Sequence, residues 1–328
     1  MIESKKPLVT FALFTYNHAS YVKDVLHSAL AQDYEPLEII VSDDCSSDGT
    51  YQIIEAFLND YKSGRDVRLL HNKSNLGIGA HVQKIFSLAS GEIVVMAAGD
   101  DISIPIRVST IVDRFLVDSS VLGLVSAFEF MDKNGEQVNR EWRPNGEEQT
   151  IENYTKGLIH CPGASCAWSK SLLHDWPMID GVVHEDRVLP MRAALLGGKI
   201  FCSNDVLVRY RASGGVSHAP KYQSSLDPIV LRISALDRIR PDALQRLLDF
   251  ESRQNIYLGR SDMHLNLSRT LFRVDQELNA LRKGGLHIDF HYLSKFFTEG
   301  FSFEIILFYL KLRTKILISL IRKKMQKF

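Results

Sequence analysis

The sequence predicts an α/β protein: a doubly wound, mostly parallel sheet followed by an all-helical C-terminal region. Two observations carry this. In the first third, short apolar runs alternate with stretches whose apolar residues recur at helical spacing, the mark of repeated strand-helix units with right-handed crossovers. Two of those runs end abruptly in paired carboxylates: Leu37 to Ser42 in Asp43-Asp44, and Ile93 to Ala98 in Gly99-Asp100-Asp101. Open α/β sheets bind ligands at the carboxyl ends of their strands.

The elements follow in order. Leu8 to Phe14 is the first strand. Val22, Val25, Leu26, Ala29 and Leu30 share one face of a helix over 21–30, with Ser20 as its N-cap. Leu37 to Val41 is the second strand. Ile53, Ile54, Phe57 and Leu58 define a helix over 50–61. A strand at 67–70, a helix at 82–88 and a strand at 93–97 repeat the unit, and a helix at 107–115 and a strand at 122–130 follow. Asp132-Lys133-Asn134-Gly135 is a turn and the polar stretch 136–149 a loop. Beyond Ile159 the pattern loosens: small residues, a helix near 169–174, a helix over 186–196, then strand pieces at 199–202 and 206–210. After Gly214-Gly215 the chain is helical. The expected domains are 1–223, with a donor half to about 130 and an acceptor half from 131, and 224–328, the boundary falling near Ser224.

Composition narrows the function. With 328 residues, 45% of them hydrophobic, the chain builds a sizeable core. Lys plus Arg equals Asp plus Glu at 39 each, so no global field favours nucleic acid. Cys45, Cys161, Cys166 and Cys202 form no C-x-x-C pair, which argues against a zinc or redox motif. The charged start lacks an apolar signal segment, so a cytoplasmic location with reduced thiols is expected. No glycine-rich turn follows the first strand, and Gly77-Ile78-Gly79 lacks the third glycine of a dinucleotide fingerprint. His184-Glu185-Asp186-Arg187-Val188 is not H-E-x-x-H, and Gly163-Ala164-Ser165-Cys166-Ala167 lacks the last glycine of a nucleophile elbow.

What remains is carboxylate chemistry. Adjacent like charges at a strand end repel each other, and hard divalent cations prefer carboxylate oxygens. Asp43 at its strand end can accept the imide N–H of a uracil or thymine ring. Tyr16 offers a flat face to a base. Asp48 or Thr50 caps the helix that begins at Thr50. Asp186, at a helix start, reads on its own as an acid that stabilises the helix through its dipole.

In their order these motifs resemble those of a family 2 glycosyltransferase, over Leu8 to about Ser217. The family's T-Y-N is Thr15-Tyr16-Asn17. Its D-D-G-S-T-D-G-T is Asp43-Asp44-Cys45-Ser46-Ser47-Asp48-Gly49-Thr50, with cysteine in place of glycine. Its N-x-G is Asn75-Leu76-Gly77, and its D-x-D-D is Ala98-Gly99-Asp100-Asp101, with the first aspartate absent. The resemblance implies a GT-A fold and inverting transfer of a sugar from a nucleoside diphosphate, UDP or dTDP, to a glycan or lipid-linked acceptor. It implies that Thr15, Tyr16, Asn17, Asp43, Asp44, Asn75 and Gly77 bind the nucleotide. Asp100 and Asp101 would hold Mg²⁺ or Mn²⁺, with diphosphate and water completing the shell. Asp186 would be the general base, and the 163–167 segment would line the acceptor pocket. Gly214-Gly215-Val216-Ser217-His218 would close over the diphosphate, with Arg211 pairing with phosphate. Two rivals stand beside this reading. A sugar nucleotidyltransferase is expected to carry a glycine- and Lys/Arg-rich loop after the first strand, which Thr15-Tyr16-Asn17-His18 is not. A non-catalytic GT-A-like scaffold is favoured by Ala98 and opposed by Asp100 and Asp186.

The C-terminal tail is a separate signal. From Ile305 to Phe328 there are seven basic residues and no acidic one. Glu304, Lys311, Lys315, Ser319, Arg322 and Gln326 make one polar stripe, apolar residues cover much of the remaining surface, and the segment is too interrupted by charge to span a bilayer. Such a helix suits either the surface of a membrane or docking on the catalytic domain or on a second subunit, as in a homodimer.

Overall fold

The computed structural model describes residues 6–62, 64–144, 150, 153–154, 161–173, 176–212, 228–253 and 261–282. The expected loop at 214–218, the boundary near Ser224 and the tail from Phe301 lie outside them. Among the described residues the chain forms two compact units, 1–219 with 241–268, and 220–240 with 269–328.

The first unit is built on a nine-stranded sheet: β1 (Val9–Thr15), β2 (Leu37–Asp43), β3 (Asp66–His71), β4 (Ile93–Ala98), β5 (Ile102–Ser103), β6 (Val121–Met131), β7 (Gln137–Trp142), β8 (Cys166–Ser169) and β9 (Lys199–Arg211). Their order is β3-β2-β1-β4-β8-β6-β9-β5, with β7 paired to β6. β1 to β4 are mutually parallel. β8 runs antiparallel to both β4 and β6, and β9 is parallel to β6, so six of the nine strands share one direction.

Alternation along β1 sorts the core into two layers, because successive side chains of a strand face opposite sides. Val9, Phe11 and Leu13 pack with helices α1 (Val22–Leu30), α2 (Thr50–Asp60) and α4 (Arg107–Val117). Ala12, with Ile40, Val94 and Met96, packs against α3 (Ile78–Leu88), α5 (Glu185–Leu195) and Phe250 of α6 (Pro228–Ser252). Helices therefore cover both faces, which buries β2 along its whole length. In the second unit, Leu236 of α6 packs with Val274, Leu278 and Leu281 of α7 (Ser261–Arg282). Among the described residues no helix is long and apolar enough to cross a membrane.

Four sequence expectations are corrected. Part of the expected loop at 136–149 is strand β7, a polar, largely exposed ribbon held by its ladder to β6. The helix expected near 169–174 is one 3₁₀ turn, Lys170–Leu172, preceded by strand β8. The two strand pieces at 199–202 and 206–210 are one strand, β9, whose register against β6 shifts near Ser126 and Ala127. Tyr21, not Ser20, occupies the N-cap of α1, and no side chain bonds there.

Candidate active site

The motif residues converge because β1, β2 and β4 are adjacent and end together: Thr15 is in register with Asp43, and Phe14 with Ala98. Thr15 Oγ1 donates to Asp43 Oδ1 at 3.1 Å. Ser46 donates its hydroxyl to the same oxygen at 2.5 Å and its N–H to Oδ2 at 2.9 Å. His71 Nε2 stands 3.6 Å from Oδ2 and stacks on Tyr51 at 4.1 Å. Asp43 is fully buried by this shell.

Asp44 serves the next turn. Its Oδ1 accepts from Asn72 Nδ2 at 2.7 Å and from the Leu76 N–H at 2.9 Å, and its Oδ2 from the Gly77 N–H at 3.0 Å. Asn75 Oδ1 also accepts from the Gly77 N–H. Gly77, at φ 77°, begins α3 in a conformation that side chains disfavour. The N-x-G element thus shapes a turn, and Asp44 ties that turn to β2.

Asn17 and Cys45 also lie at positive φ, 58° and 62°. Asn17 Oδ1 accepts from the Ser47 N–H at 2.9 Å, locking the two loops together. Cys45 stands where the family motif has glycine, and a left-handed backbone costs an ordinary residue about 1–2 kcal/mol. Cys45→Val is therefore expected to lower the melting temperature by several degrees, at roughly 2–4 °C per kcal/mol, while Cys45→Gly melts no lower than wild type. Differential scanning fluorimetry of the two variants checks this.

At the end of β4, Asp100 and Asp101 are both buried. Gly99 lets them pack: a Cβ there would meet His18 Nδ1 at 2.4 Å and Thr15 Cγ2 at 2.8 Å. His18 Nε2 lies 3.9 Å from Asp100 Oδ1. Asp101 Oδ1 accepts the Arg211 N–H at 2.8 Å, while Oδ2 has no hydrogen-bond partner among the described residues. Burial, and then the Asp100 charge, push the Asp101 carboxyl well above the usual range. Beneath them Arg107 is fully buried, bonded to Ser103 Oγ and to the Met96 and Ala164 carbonyls. Its burial depresses its pKa to about 10.

Arg211, expected to pair with phosphate, is itself buried. Nε donates to the Asp100 carbonyl at 2.9 Å and Nη1 to the carbonyls of Asp132 and Lys133 at 3.0 and 2.9 Å. Its guanidinium lies over Tyr21, 4.3 Å from the ring centre. It links the carboxylate turn to the turn after β6.

Glu185 and Asp186 open α5, with His184 at its N-cap. A Cβ at Gly163 would lie 2.5 Å from Glu185 Oε1 and 3.9 Å from Asp186 Cβ, so the 163–165 turn packs directly on this pair. Burial, and then the Asp186 charge, raise the Glu185 pKa well above the usual range, toward the neutral form. His18, Arg107 and Asp242, which bonds His184, escaped the sequence reading, since each acts through contacts that no local motif announces.

The sequence model for glycosyl transferase family 2 matches residues 10–176, and the chain belongs to that family. TuaG of Bacillus subtilis, named for teichuronic acid biosynthesis, is 32% identical over 29% of this chain and 37% of its own. The match spans between 36% and 66% of the length of the first three curated relatives. The structure of Staphylococcus aureus TarS 1–349 with UDP-GlcNAc aligns at a TM-score of 0.54 and 18% identity, covering 84% of this chain and 88% of that one. The mannosyltransferase PcManGT of Pyrobaculum calidifontis, with GDP-Man and Mn²⁺, aligns at 0.54 and 17%, covering 99% and 89%. At these identities the likeness establishes the fold, a GT-A fold.

Proposed function

We propose that this protein is an inverting glycosyltransferase of cell-surface glycan assembly, moving a sugar from UDP or dTDP to an acceptor hydroxyl. The observation that carries the proposal is the convergence of Asp43 and Asp100 at the ends of parallel strands in a family 2 chain. Thr15, Tyr16 and Asn17 on β1 and its loop, and Asp43 on β2, frame the base; Asp44, Asn75 and Gly77 hold the turn beside it. Binding of UDP-GlcNAc by TarS and the biosynthetic name of TuaG support donor and pathway class.

Asp100 and Asp101 fit a hard divalent cation, Mg²⁺ or Mn²⁺. They offer only oxygen, and Asp101 Oδ2 is buried without a hydrogen-bond partner among the described residues. No group of three or more His, Cys, Asp or Glu among the described residues is arranged to hold a metal, so diphosphate and water would complete the shell. Such a cation supplies Lewis-acid neutralisation of the leaving diphosphate. Arg211 fixes the backbone that carries both carboxylates. Asp186 takes the proton of the attacking hydroxyl, while Glu185 packs against Gly163.

The test is release of nucleoside diphosphate from a panel of UDP-, dTDP- and GDP-sugars with Mg²⁺ or Mn²⁺. Turnover of one donor supports the enzyme; binding without turnover across the panel, read by thermal shift, leaves the scaffold reading. A lipid-linked acceptor at the cytoplasmic face accords with the basic C-terminal stripe. Lys311, Lys315 and Arg322 would each add about 1 kcal/mol near anionic lipid. Full-length protein is expected to float with phosphatidylglycerol liposomes, more weakly in high salt, and protein lacking 301–328 to remain behind with its nucleotide site intact. If the full-length protein fails to float, or the deletion abolishes nucleotide binding, the stripe belongs to a packed or subunit interface.

A further inference from the structure

The chain from Ile179 to His184 leads into α5 and is gripped from two sides. On one side the Gly79 N–H donates to the Val182 carbonyl at 3.1 Å. A Cβ at Gly79 would lie 2.5 Å from that oxygen, so the strap lies directly on the start of α3. On the other side stands α6. Gln245 Oε1 accepts the Ile179 N–H at 2.6 Å. Pro241 packs on Gly181, where an added Cβ would meet its Cγ at 3.3 Å.

Asp242 makes the closest grip. It is fully buried. Its Oδ1 accepts the N–H groups of Val183 and His184 at 3.0 and 3.2 Å. Its Oδ2 lies 2.5 Å from His184 Nδ1. A carboxylate only accepts, so the proton of that bond sits on Nδ1. Three donors from two consecutive residues thus end on one side chain, 58 residues away from His184 in sequence. The next two residues of the chain are Glu185 and Asp186.

We propose that Asp242 is a positioning residue for the proton-accepting step: through His184 and the backbone of 183–184 it fixes the start of α5, and with it the Asp186 carboxylate. This rests on the reading of Asp186 as the base. Asparagine at 242 keeps one acceptor oxygen for the backbone but turns an NH₂ toward His184, so the ring must change tautomer or lose the bond. A displacement of the base by about 1 Å is enough to lower a rate by roughly 10²-fold.

Two measurements on the full-length chain test the proposal. In ¹⁵N-histidine spectra, the resonance that disappears in His184→Gln should show a protonated, hydrogen-bonded Nδ1 in wild type, and lose that signature in Asp242→Asn. In hydrolysis of UDP-GlcNAc with Mn²⁺, Asp242→Asn should lower kcat by about 10–10²-fold with KM unchanged. That loss should vanish in the Asp186→Asn background, as expected when two residues act as a unit. A retained kcat, a raised KM in its place, or losses that multiply in the double variant would each overturn the proposal. If Asp242→Asn does not fold, His184→Gln decides, since it leaves the backbone bonds of Asp242 intact: a lowered kcat supports the proposal and an unchanged one overturns it. The two readings fail differently. Full turnover in Asp186→Asn removes the base itself, whereas a normal Asp186→Asn loss with a multiplicative double variant removes only Asp242.

Discussion

Replacing Asp100 with alanine is expected to abolish sugar transfer and the metal dependence of nucleotide binding, and to leave the fold intact. Asp100 ends β4 beside Asp101, in a buried pair that burdens Asp101 with a raised pKa. Two adjacent buried carboxylates repel each other, which disfavours the doubly ionised pair. Loss of a metal ligand at a leaving diphosphate removes several kcal/mol of transition-state stabilisation, on the order of 10³-fold in rate. Removing one of two repelling groups has the opposite sign for stability, so the melting temperature without metal should hold or rise. That pairing of outcomes separates a ligand from a structural residue. Isothermal titration of UDP with and without Mn²⁺, together with a thermal melt, reads both. Undiminished activity at saturating donor would shift the ligand role to Asp101, and a collapsed melt would make Asp100 structural.

The donor half of the fold was legible because its information is local. β1, β2 and β4 are buried apolar runs with turn chemistry directly after them, and the carboxylates sit at the end of β2 or within three residues of the end of β4. The acceptor half was not, for reasons that differ by element. β7 reads Gln137-Val138-Asn139-Arg140-Glu141-Trp142 and is exposed over all but its last residue, so it carries no period-2 burial signal; only the β6 ladder makes it a strand. β8 is four residues long, shorter than any periodicity can report. Arg211 was expected to pair with phosphate because a lone arginine in sequence says nothing of the three carbonyls that receive it. Asp242 lay in a stretch read only as helical, and its partners are distant in sequence. Local pattern located the carboxylates, whereas tertiary contacts alone disclose what holds them.

Asp186→Asn is expected to lower turnover by about 10²–10⁴-fold, the usual loss on removing a general base, while donor affinity stays near wild type. The assignment to Asp186 rather than Glu185 follows from their surroundings. Glu185 is buried and its carboxyl packs against Gly163, which leaves it no room to reach an acceptor hydroxyl. Asp186 stays partly exposed on the same helical turn. Asparagine keeps the shape and loses the anion in the first turn of α5, where a carboxylate contributes about 0.3–1 kcal/mol through the helix dipole. The melting temperature should therefore move by no more than about 2–4 °C. The same substitution removes the charge that helps raise Glu185, yet Glu185 cannot replace the lost base, because its carboxyl is packed against the 163–165 turn. Steady-state kinetics with the donor found active in the panel, together with UDP titration of the variant, gives both numbers. A fall in donor affinity at unchanged turnover would make Asp186 a donor contact and leave the proton acceptor to be sought elsewhere around the acceptor pocket.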